Sequence, residues 1–63
     1  MKVSTQERQR RLAADRKALD AMDAASIDQR IRGLEAERHN PEADVQFVNA
    51  RLSLARKALA RVR

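Results

Sequence analysis

PEADVQFVNARLSLARKALARV (residues 41–62) sets Val45, Val48, Leu52, Ala55, Leu59 and Val62 at successive steps of 3, 4, 3, 4 and 3. That is the repeat by which one helix lays a continuous apolar seam along a neighbour. Just upstream, Ile27, Ile31 and Leu34 form a shorter stripe of the same kind. His39, Asn40 and Pro41 separate the two stripes, and a proline disfavours helical geometry in the residue before it, so the chain must break at Asn40. Asn40, Pro41 and Glu42 then read as an N-cap, a proline at the first helical position and an acid favoured by the helix dipole. The two stripes are predicted to close on one another as an antiparallel helical hairpin.

Working back towards the N-terminus, Ser4 precedes Glu7 by three residues, the spacing of a capping box, and Ser26 and Gln29 repeat it. At about 100° per residue, Leu12, Leu19 and Met22 share one direction while Ile27, Ile31 and Leu34 share another. A straight helix would not bury both sets, so a break between them is expected. The reading is a single all-α domain over residues 1–63, a small antiparallel hairpin or three-helix bundle with helices at 5–24, 27–38 and 41–62. Its competitor is one long bent helix folded against a shorter one. Gly33, inside the second helix, either permits close helix approach or is simply tolerated.

The chain has 63 residues, no cysteine, one histidine, one glycine, one proline and Phe47 as its single aromatic. Neither a disulfide nor a structural zinc site can staple so small a core, and no metal or cofactor is implied. The first helix is the poorest, because Asp15 and Arg16 sit where the stripe through Leu12 and Leu19 wants an apolar residue. Fully burying a Leu or Ile contributes only about 1.5–3 kcal/mol. The fold is therefore expected to be completed by self-association, a dimer being favoured, or by a bound partner. The start MKVSTQERQ lacks the apolar centre of a signal peptide, and no apolar run approaches the ~18 residues of a membrane span. A cytoplasmic protein that does not engage membranes is expected, and eleven Arg beside twelve Ala suit a bacterial or phage origin.

Phe47 and Leu54 lie seven residues apart and project together, away from the seam. With Ala50 and Ala58 between and below them, and Lys57 and Arg61 beside them, they form a second apolar strip. Either the first helix covers that strip or it is the contact surface for another chain. The expected partner-binding set is Phe47, Leu54, Lys57 and Arg61, with Arg51, Arg56 and Arg63 as charged neighbours that guide the approach.

Residues 1–24 carry six bases and four acids, residues 25–44 three and five, and residues 45–63 five and none. An acid-free basic helix could follow a phosphate backbone. Arg51, Arg56 and Arg63 flank the seam, however, where long basic side chains cover apolar surface and meet acids across the helix pair. Base-stacking aromatics other than Phe47, a phosphate-cradling glycine loop and zinc-finger spacing are all missing from the sequence. Catalysis is not expected: His39 adjoins the turn without a nucleophile or orienting acid, and Asp20 with Asp23, or Glu35 with Glu37, read as solvated helix-surface acids. The sequence thus points to a small non-enzymatic helical interaction module, an inhibitor, adaptor or regulator that presents a helix face to a protein partner. The alternatives are a basic RNA- or DNA-binding regulator using the last helix and the Arg8, Arg10, Arg11 cluster, and a phage assembly component.

Overall fold

Each of the three helices starts on a side chain that replaces a missing backbone partner. In the computed structural model, which describes residues 4–63 and leaves residues 1–3 of the expected domain outside the description, α1 spans Thr5–Asp20, α2 Ala24–Glu37 and α3 Val45–Val62. Ser4 caps α1, its hydroxyl oxygen accepting from the Glu7 N–H at 3.2 Å, and Glu7 in turn pairs with Arg11 one turn on at 3.0 Å.

The break before α2 falls earlier than the Ser26 reading had it. Asp23 is the cap, its Oδ1 accepting from the Ser26 N–H at 2.8 Å, so α1 stops at Asp20 and α2 begins at Ala24. A carboxylate is the better acceptor at a helix start, where the dipole adds to the hydrogen bond, so Asp23 takes the cap and leaves Ser26 inside the first turn.

The break at Asn40 is present, but α3 starts four residues after Pro41 rather than at it. Asn40 Oδ1 accepts from the Glu42 N–H at 3.0 Å and the Asn40 carbonyl from the Ala43 N–H at 3.0 Å, which closes one isolated turn. Asp44 then holds an extended backbone and caps α3, its Oδ1 accepting from the Phe47 N–H at 3.3 Å.

α2 turns Ile27, Ile31 and Leu34 onto Val48, Leu52, Ala55 and Leu59 of α3, and these form the core with Leu19 and Ala58. The seam holds at its centre and frays at its ends, where Val45 and Val62 are 46% and 49% exposed. Gly33 lies on the outer face of α2, and a Cβ there would meet nothing within 4 Å. No close helix approach requires it, and it costs about 1 kcal/mol of helix propensity without a packing return.

α3 is the middle element, packed on α2 along one flank and on α1 along the other, and α1 and α2 share little direct contact. The Cα atoms span 35 × 24 × 13 Å, a slab of helices rather than a ball. The long bent helix of the competing reading does not form. Among the described residues there is no strand, and no helix is long and apolar enough to cross a membrane.

Candidate protein-binding groove

α1 buries only Leu19 fully, so apolar burial alone gives it little hold on the hairpin. Charges add the rest. α1 runs parallel to α3, and Arg8, Asp15 and Asp20 meet Asp44, Arg51 and Arg61 in order along it. Asp15 is the centre of this set: Oδ2 accepts from Arg51 Nε at 2.6 Å and Oδ1 from Arg30 Nη1 of α2 at 3.2 Å, so one carboxylate joins all three helices. Its side chain is 15% exposed, against 24% for Arg51 and 29% for Arg30, which shields these pairs from much of the water that weakens surface ion pairs. Sliding α1 by seven residues would set Arg8 against Arg51, so the charge order also fixes the register.

Arg51 has further neighbours. Its guanidinium lies 5.6 Å from the centroid of the Phe47 ring, and Glu37 at the end of α2 approaches it at 3.9 Å. Asp44 both caps α3 and pairs with Arg8, whose Nε is buried without a hydrogen-bond partner among the described residues.

This arrangement divides the residues that the sequence grouped together. Phe47 is 6% exposed and roofed by Arg51, so it offers no surface to a partner in this fold. Arg51 is committed to the interior node. Arg56 lies on the α2 side and pairs with Glu35 at 3.6 Å, and Arg63 is exposed at the chain end. Ala58 is buried in the core. Leu54, Lys57 and Arg61 do come together, in a groove between α1 and α3.

The groove consists of two recesses of about 470 and 380 Å³ that share Arg16 and Leu54. α1 supplies Leu12, Ala13, Arg16 and Leu19; α3 supplies Ala50, Leu54, Lys57 and Arg61. Leu12 and Leu54 are half-buried and form an apolar floor between small alanines. Among the described residues no acid lines either recess. Arg16 and Lys57 are exposed and face no acid in an ion pair among the described residues. Arg61 reaches Asp20 at 3.6 Å with both side chains more than 60% exposed, an ion pair of the kind that contributes little.

The sequence did not single out the α1 bank of the groove as binding residues, Arg16 and Leu12 foremost. The signal was present as a misfit: Arg16 interrupts an apolar stripe at a position that proves to be a rim. The acid pairs considered for catalysis are separated by their partners, since Asp20 faces Arg61, Asp23 caps α2, Glu35 faces Arg56 and Glu37 faces Arg51. Compared with family models, with curated proteins and with solved structures, the chain finds no match.

Proposed function

We propose that this chain is a non-enzymatic interaction module that engages a protein partner through the α1/α3 groove. The observation that carries this reading is the groove itself: an apolar floor made by two helices, left open to solvent and bordered by Arg16, Lys57 and Arg61, with Asp20 reaching only Arg61 at its end. An uncovered apolar strip with a polar rim is how a small helical protein offers a face to another chain.

The partner reading is favoured over the two other ways of using this surface. In a nucleic-acid complex the basic end of α3 would have to face phosphates, but Arg51 is held by Asp15 in a shielded pair and Phe47 is unavailable for stacking. In a symmetric dimer across the groove, Arg16 and Lys57 of one copy would approach the same bases of the other. α1 adds Leu19 to the core, and a partner in the groove would add to that packing without replacing α1.

Site-specific photo-crosslinking in cell lysate tests the reading. A photoreactive residue at Ser53, on the groove, should yield a nuclease-resistant protein adduct that the same residue at Gln29, on the outer face of α2, does not. Equal adducts from both positions, or adducts that vanish with nuclease, would contradict it.

A further inference from the structure

The groove also specifies the chemistry of its occupant. Resting on the groove reading above, we propose that it takes an acidic amphipathic helix of about three turns from another protein. The length follows from helix geometry: Gln9 to Leu19 on α1 and Ala50 to Arg61 on α3 both line it, which at 1.5 Å per residue is roughly 15–17 Å. An apolar stripe at i, i+3 or i+4, and i+7 covers Leu12 and Leu54, and Ala13 and Ala50 leave room for the helix to settle between them.

Charge selects among such helices. Lys57 and Arg61 stand four residues apart on one bank, so two carboxylates one turn apart on the occupant meet them. Arg16 on the opposite bank meets a third. Among the described residues Arg16 and Lys57 have no acid to give up, and Arg61 exchanges an exposed pair with Asp20 for one inside the complex. A second copy of this chain would bring bases to bases. A nucleic-acid backbone would satisfy the bases but leave Leu12 and Leu54 uncovered by apolar atoms.

A displayed library of three-turn helical peptides tests this on the full chain. Stripe positions carry Leu, Ile, Met, Phe or Ala, and flanking positions draw equally on Glu, Gln and Lys. The enriched peptides should carry Glu on both flanks, two of them one turn apart. They should bind with Kd on the order of micromolar, as a small interface does, and move the amide resonances of residues 12–19 and 50–61. Affinity should fall about tenfold on raising salt to about 0.3 M. Lys57→Glu, at an exposed position that leaves the core intact, should reject Glu-flanked peptides and accept Lys-flanked ones.

Gln-flanked winners bound in the groove would overturn the acidic preference and leave the groove reading standing. No enrichment, or shifts confined to other faces, would overturn both. Concentration-dependent dimerisation that protects the groove, or a short RNA or DNA duplex that outcompetes every peptide, would replace the proposed occupant with a second copy or a nucleic acid.

Discussion

Phe47 and Leu54 point in nearly the same direction from α3, yet they have different neighbours. Two helical turns separate them along the axis, about 10 Å, and over that distance the roof changes from Arg51 to open groove. Phe47→Ala should therefore destabilise the fold by about 3 kcal/mol, the cost of emptying a buried aromatic site. Leu54→Ala, at a half-buried position, should cost about 1 kcal/mol and weaken partner binding with helicity retained. Urea denaturation followed by circular dichroism separates the two, and equal effects on stability would place both residues in the core. At the start of α2, hydrogen bonds from the backbone and side chain of Ser26 hold the Asp23 carboxyl below its ordinary value of 3.8. The folded state then favours ionised Asp23 more strongly than the unfolded chain does. Its contribution is complete at neutral pH and is lost as the pH falls from about 4 through the folded value. Asp23→Asn keeps a capping oxygen and removes that titration, so its melting temperature should fall less than that of wild type between pH 6 and pH 3.

The three helices were not equally legible. α2 and α3 announce their pairing through Ile27, Ile31 and Leu34 and through the 3-4 repeat of α3, because apolar seams impose a period on the sequence. α1 carries no such period, since its docking rests on Arg8 and Asp15 and on the opposite charges that face them, Asp44, Arg30 and Arg51. Ion pairs between elements obey spatial positions and leave no regular spacing along one element, so Asp15 reads in the sequence as an interruption. Helix ends differ from the sequence signals for a local reason: Ser26 and Pro41 are sound starting signals, but Asp23 caps α2 three residues before Ser26 would and Asp44 caps α3 four residues after Asn40 has closed its own turn. The physical weight of Asp15 is open to measurement. Asp15→Asn should destabilise α1 docking by about 1–3 kcal/mol, because Arg30 is left partly shielded without its counter-charge and Arg51 keeps only the more distant Glu37. In a double-mutant cycle, Asp15 and Arg51 should show a coupling of about 1 kcal/mol or more in urea denaturation, whereas strict additivity would remove Asp15 from the node.

For the whole molecule, these contacts describe a hydrophobic α2/α3 hairpin to which α1 is fastened chiefly by charge, and the open α1/α3 groove is the consequence. The basic rim was partly readable in advance, as Lys57 and Arg61, while its other bank waited on knowing which way α1 ran. Amide hydrogen exchange of the full chain, resolved by residue, addresses this arrangement most directly, because it reports the opening free energy of each helix separately. The amides of α1 should open at lower free energy than those of α2 and α3, and raising salt to about 1 M, where screening acts over about 3 Å, should speed their exchange selectively. Uniform protection across all three helices, unchanged by salt, would contradict a charge-fastened α1.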